Sequence, residues 1–200
     1  MRRSRGSARL PAAAAGMTIG LLGGSFDPPH EGHRQISLQA LKRLRLSQLW
    51  WLVSPQNPLK SRSNAIDSRL EAARLLARHS RIKVLDLERR LGTRYTADTL
   101  RALKTRYPGV RFVWLMGADN LEQIREWYDW QAIFHAVPVA VFDRPGFGLR
   151  AAASLAARRY QRFRYDESDA AGLAAARPPA WALIHAPRLA LSSTALRERG

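Results

Sequence analysis

Short apolar runs alternate along this chain with stretches whose aliphatic residues recur at helical spacing. Thr18 to Gly23 (TIGLLG) is the first run, and Ile36, Leu38, Leu41 and Leu44 mark a helix after it. The pattern then repeats. Leu49 to Val53 (LWWLV) reads as a buried strand, Ser68 to Arg78 as a helix, Ile82 to Leu85 as a strand and Ala97 to Tyr107 as a helix. Val110 to Met116 (VRFVWLM), an acidic and aromatic helical stretch from Asn120 to Phe134, and Val137 to Phe142 (VPVAVF) follow. Apolar strands separated by helices predict an α/β fold, a parallel sheet with helices on both faces. After Arg144 the pattern loosens into an Ala/Arg helix over Arg150 to Tyr160, a loop rich in Asp and Ala, and a last strand at Ala180 to Ile184.

In sheets of this kind ligands bind at the carboxyl ends of the strands, where successive loops diverge. The loops that begin at Gly23, Ser54, Asp86, Gly117 and Asp143 are therefore expected on one rim.

Two hundred residues, 46% of them apolar, suffice for one domain with a single core. Cysteine is absent, which removes disulfides, thiolate metal sites and a cysteine nucleophile together and suits a cytoplasmic location. Thirty-three Lys and Arg against sixteen Asp and Glu give a formal charge of +17, a field that attracts polyanions of any kind. The charge is spread along the chain rather than gathered in one block, so no nucleic-acid partner is expected. Residues 1–16 (MRRSRGSARLPAAAAG) form a basic stretch that, with the apolar run through Leu22, imitates a signal peptide. Cleavage there would fall near or inside GGSF, so a disordered arm, or a true start at Met17, is the expected reading, with the domain over 17–200. No segment approaches the length of an apolar membrane span, and no membrane partner is expected.

The densest local signal is GGSFDPPHEGH, residues 23–33. It leaves the first strand and opens the first helix, where glycines let backbone N–H groups approach a ligand and a helix amino end favours an anion. His30 and His33 project from that end. Histidines three apart could also share a metal, but zinc would need further ligands, and His79, His135 and His185 sit in no metal-binding spacing, so no protein-held metal is expected.

This stretch resembles the GxFDPxHxGH signature of the nucleotidyltransferase superfamily with the histidine-x-glycine-histidine motif. The resemblance implies a Rossmann-like fold in which His30 and His33 act catalytically, gripping ATP phosphates while another phosphate attacks the α-phosphorus. Gly23, Gly24, Ser25, Phe26 and Gly32 are then implied ATP-binding positions beside them. LSSTALRER, residues 191–199, resembles the ISSTxIR motif of the same superfamily. There Ser192, Ser193 and Thr194 would cap a short helix, and Arg197 would reach the triphosphate as a third catalytic group. The residue types support this on their own, since hydroxyls ahead of a helical turn with a cation one turn later make a donor-rich cap.

Three further stretches resemble bacterial nicotinate mononucleotide adenylyltransferase. SPQNPLK places Asn57 and Lys60 on the rim as phosphate contacts. LGTRYTADTL resembles GxSYTxDTL, with Tyr95 and Thr96 receiving the pyridine carboxylate; read from chemistry alone, Thr96 is a helix N-cap. MGADNLEQIREWYDWQAI follows the GADNLxxxxxWxxW pattern, with Gly117 an ATP-binding position, Asp119 at the adenosine ribose and Trp127 stacking on the nicotinate ring, while Trp130 and Ile133 pack the core. DRPG adds Arg144 as a phosphate contact, and Ser25 touches both substrates. The region 149–179 follows no pattern of the family.

The implied reaction moves AMP from ATP to nicotinate mononucleotide and releases pyrophosphate, a step of NAD biosynthesis. Mg2+ would be held mainly by the ATP phosphates. A nicotinamide mononucleotide or phosphopantetheine acceptor, or a basic nucleic-acid-binding module on the same fold, are the alternatives, and the sequence leaves a homo-oligomer open.

Overall fold

The structure is a computed structural model that describes residues 10–55, 64–143 and 148–185. The apolar runs become neighbours in one seven-stranded sheet: β1 (Thr18–Gly24), β2 (Gln48–Val53), β3 (Ile82–Leu85), β4 (Arg111–Gly117), β5 (Val139–Phe142), β6 (Arg164–Tyr165) and β7 (Trp181–Ile184). Their order is β3-β2-β1-β4-β5-β7-β6, and every pairing is parallel. The chain runs outward from β1 to β3, returns to the other side of β1 at β4, and so leaves a crevice between the carboxyl ends of β1 and β4.

The connections are helical: α1 (Glu31–Arg43), α2 (Ile66–Ala77), α3 (Leu87–Leu91), α4 (Thr96–Arg106), α5 (Ala118–Gln123), α6 (Trp130–Ala136), α7 (Gly148–Ala152), α8 (Leu155–Arg159) and α9 (Ala170–Leu173). Strand residues alternate between two apolar layers, as a period of two requires. Leu21, Leu52, Trp114 and Val141 face α4 and α6 through Leu100, Leu103, Ile133 and Phe134. Leu22, Trp51, Leu115 and Phe142 face α1 and α2 through Ile36, Leu41, Leu70 and Ala73. Each fully buried aliphatic side chain contributes roughly 1.5–3 kcal/mol, which accounts for strands apolar on both faces.

Several expected elements divide. The stretch from Asn120 to Phe134 is not one helix: α5 ends in a 3-10 turn at Ile124–Glu126, Trp127 is extended, and Asp129 adopts a left-handed conformation (φ 46°) before α6 begins. The Ala/Arg stretch from Arg150 also breaks, because Ser154 Oγ accepts from the Ala157 N–H and starts a new helix. The strand expected from Val137 begins at Val139; Pro138, with no N–H to give, only accepts from Trp114.

The basic arm is described from Leu10 onward, where it meets the domain. Tyr107 Oη donates to Pro11 O at 2.8 Å, Gly16 N donates to Gly109 O at 2.9 Å, and Leu10 and Ala13 pack against the apolar layer of α4. No helix among the described residues is long and apolar enough to cross a membrane.

Candidate active site

The β1 turn is shaped from below and from the side. A side chain at Gly23 would begin 2.4 Å from Trp114 Cη2, so the indole of β4 occupies the place a Cβ would take, and glycine is required there for packing. Phe26 has a left-handed backbone (φ 47°), a conformation that costs a non-glycine residue about 1 kcal/mol or more. Its side chain is buried, stacked on Trp51 with ring centroids 5.0 Å apart and tilted against His33 at 4.6 Å.

His30 is the N-cap of α1 and His33 the third residue of its first turn. The two cap one another: His33 N donates to His30 O at 2.9 Å, and His30 N donates to His33 Nδ1 at 3.2 Å. A backbone N–H can only donate, so Nδ1 of His33 is the acceptor and the neutral ring carries its proton on Nε2. The rings lie 3.9 Å apart, and His30 is 5% exposed. One turn later, Ser37 Oγ donates to His33 O and accepts from Trp51 Nε1, both at 2.7 Å, which ties the start of α1 to β2. Ser25 and Gly32 are buried in the same turn.

Gly117 closes β4 and caps α5, with Asp119, partly buried, in the first turn. Since β1 and β4 are adjacent, Leu22 pairing with Leu115, the Gly117 and Gly23 turns flank one crevice. Trp127 follows α5 and meets Trp114 edge-on at 6.5 Å, so the indole beneath Gly23 also supports Trp127. From the other side, Tyr95 stacks on Tyr128 at 4.5 Å, and Arg101 of α4 bridges Asp98 (2.8 Å) and Asp129. Trp130 and Ile133 pack inward, Trp130 edge-on to Phe134 and Tyr160.

The N-cap of α4 is Tyr95 rather than Thr96, which is its first helical residue. The turn is held by Thr99, whose Oγ1 lies 2.7 Å from Thr93 Oγ1 and 3.2 Å from Tyr95 O, so the buried hydroxyl is at Thr99. Asn57, Lys60, Arg144, Ser192, Ser193, Thr194 and Arg197 lie outside the described residues. At the carboxyl ends of the strands, Ser54 N is bonded to Gly24 O at 3.0 Å and Asp143 N to Ile184 O at 2.9 Å.

A cytidylyltransferase-like family model matches residues 21–199, a span from the middle of β1 to the SSTALR stretch. The chain belongs to that family. Within it, the chain is 62% identical over 185 residues to a protein of Cereibacter sphaeroides named a probable nicotinate-nucleotide adenylyltransferase, covering 92% of this chain and 98% of the relative. A protein of Parvibaculum lavamentivorans with the same name is 50% identical over 195 residues, 96% of this chain and 97% of that one. Among solved structures, the Plasmodium falciparum nicotinic acid mononucleotide adenylyltransferase complexed with NaAD superposes with a TM-score of 0.68 at 21% identity, over 90% of this chain and 82% of that one, a likeness of fold.

Among the described residues, the buried charges of Glu88 and Arg69 were not marked as site candidates by the sequence. Glu88, in α3 beside Ser54, has its carboxyl pushed up to about 7 by burial, against which a hydrogen bond from Ser54 works only partly. Its signal was hidden because α3 is one short turn in a segment of charged residues. Arg69 of α2 is 2% exposed. It shares the spacing of Ala73 and Ala77, which places it on the buried face of that helix, and this spacing could have identified it.

Proposed function

We propose that this chain transfers the adenylyl group of ATP to the phosphate of nicotinate mononucleotide in the cytoplasm, forming nicotinate adenine dinucleotide and pyrophosphate. The observation that carries the reading is the reciprocal capping of His30 and His33, which sets two imidazoles at the amino end of the 13-residue helix α1, the His33 ring accepting on Nδ1 and carrying its proton on Nε2. In the reaction an oxygen of the acceptor phosphate attacks the α-phosphorus, a new P–O bond forms, and the bond to the bridging oxygen breaks, with pyrophosphate taking the electron pair. Little covalent help is needed. The protein supplies alignment and donors for the charge that grows on the leaving oxygens.

His33 Nε2–H and His30 donate to the triphosphate, joined by the α1 amino end and by Arg197 with the Ser192, Ser193 and Thr194 cap. Gly24, Ser25 and Phe26 shape the backbone that admits the phosphates, and Asp119 accepts from the adenosine ribose. Trp127 offers its face to the pyridine ring, Tyr95 and Thr96 its carboxylate a polar edge, and Asn57, Lys60 and Arg144 the acceptor phosphate its donors. Among the described residues no group of three His, Cys, Asp or Glu side chains is arranged to hold a metal. We place Mg2+ on the ATP phosphates, as part of the substrate, because this hard cation favours their oxygens. The test is pyrophosphate release from ATP and Mg2+ with nicotinate mononucleotide, nicotinamide mononucleotide and phosphopantetheine in parallel. Nicotinate mononucleotide should give the highest kcat/KM; a higher value with either rival would overturn the acceptor assignment.

A further inference from the structure

The guanidinium of Arg69 donates to backbone carbonyls from two loops, the β1 turn and both ends of the β2–α2 connection. Nη1 donates to Ser25 O at 2.6 Å and to Ser54 O at 2.8 Å, Nη2 to Pro55 O at 2.8 Å, and Nε to Asn64 O at 2.8 Å. Ser25 belongs to the β1 turn that leads to His30 and His33. Ser54 and Pro55 leave β2, and the chain returns at Asn64, so Asn57 and Lys60 lie in the sequence between two residues held by one side chain. Asn64 also reaches back to the β1 turn: its backbone N donates to Asp27 Oδ2 at 3.0 Å and its Nδ2 to Asp27 Oδ1 at 2.6 Å. Asp27, itself buried, supplies the negative charge that offsets the buried cation.

Such a cation could have been satisfied by one carboxylate in a bidentate pair. Here it is divided among four carbonyls, which fixes where three chain segments stand relative to one another. We propose that Arg69 is a positioning residue for adenylyl transfer, a brace that sets the separation between the β1 turn carrying the two histidines and the ends of the segment carrying Asn57 and Lys60. This rests on the adenylyl-transfer reading above. An in-line displacement is sensitive to the distance between attacking phosphate and α-phosphorus, and a shift of about 1 Å can lower the rate about a hundredfold. Lysine cannot replace the brace, because three donors on one nitrogen do not reach carbonyls that surround a planar fork.

The test uses the full chain with Arg69→Lys, Arg69→Ala and Asn64→Ala, followed by melting temperature and by kcat and KM for ATP and nicotinate mononucleotide. For Arg69→Lys the expected result is a folded protein with kcat lowered about 10- to 100-fold and the acceptor KM raised. Millimolar guanidinium added to Arg69→Ala should restore kcat at least tenfold, whereas methylammonium should not. Asn64→Ala, which removes the Nδ2 bond to Asp27 and keeps the backbone one, should raise the acceptor KM about fivefold and leave the ATP KM within twofold. Wild-type kcat and KM in a folded Arg69→Lys, with or without a lower melting temperature, would overturn the proposal. If neither Arg69 variant folds, Asn64→Ala decides, and unchanged acceptor kinetics there would overturn it. Failure of the unsubstituted protein to turn over would overturn the adenylyl-transfer reading and this one with it, whereas an active protein with indifferent variants removes the brace alone.

Discussion

The ring of Phe26 lies 4.6 Å from that of His33 and 5.0 Å from that of Trp51, so one aromatic side chain fills the space between the imidazole and the second strand. Its backbone is held left-handed to do so. Phe26→Leu keeps an apolar side chain but removes the flat surface against which the imidazole rests. Steady-state kinetics should show kcat lowered about 5- to 20-fold with the ATP KM changed less, and thermal melts a loss of about 1–3 kcal/mol.

Gly23 and Trp114 form the second constraint on this turn. With 2.4 Å between an added Cβ and Cη2, Gly23→Ala forces the indole aside and should destabilise the fold by about 1–3 kcal/mol. In a double-mutant cycle by thermal denaturation, Trp114→Phe should relieve part of that cost, because the smaller ring withdraws the clashing edge; strictly additive losses would argue against the clash.

The turn bearing Trp127 is pinned by Arg101 to Asp129 and by Tyr95 to Tyr128. Trp127→Ala should raise the acceptor KM about tenfold and leave the ATP KM near its original value, as loss of a stacking face predicts. Asp129→Ala removes the ion pair and should move the same constant in the same direction, more weakly, because Arg101 is an exposed side chain.

How much of this was legible follows from where the information lies. Strands such as Leu49 to Val53 could be read because burial on both faces leaves no polar position, and the His30–His33 turn because its residue types have few other uses. The break at Trp127 could not, since it depends on Asp129 accepting a left-handed backbone and on the contacts of Arg101 and Tyr95 that hold it. The two-residue β6, both residues exposed, carries no apolar signal. Glu88 reads as an ordinary surface charge until the loops around it are placed, whereas the spacing of Arg69 with Ala73 and Ala77 already points to a buried face.

Glu88 gives a pH signature. Its folded pKa, about 7, stands above the ordinary 4.5, so the folded state binds its proton more tightly than the unfolded chain does. The contribution of the neutral carboxyl is fully present below about 4.5 and is lost as pH rises through about 7, a change on the order of 3 kcal/mol. Glu88→Gln stays neutral and should melt close to the original protein near pH 4.5 but above it at pH 8. Equal differences at both values would contradict the assignment.

In the proposed reaction His33 presents its Nε2–H to the phosphates undergoing transfer. Single-turnover quench of the enzyme-bound ATP and nicotinate mononucleotide complex, comparing the original protein with His33→Ala, tests it most directly. The chemical step should slow at least about a hundredfold while the dissociation constant for ATP changes only a few fold. A chemical step of unchanged rate, with the loss confined to ATP binding, would contradict it.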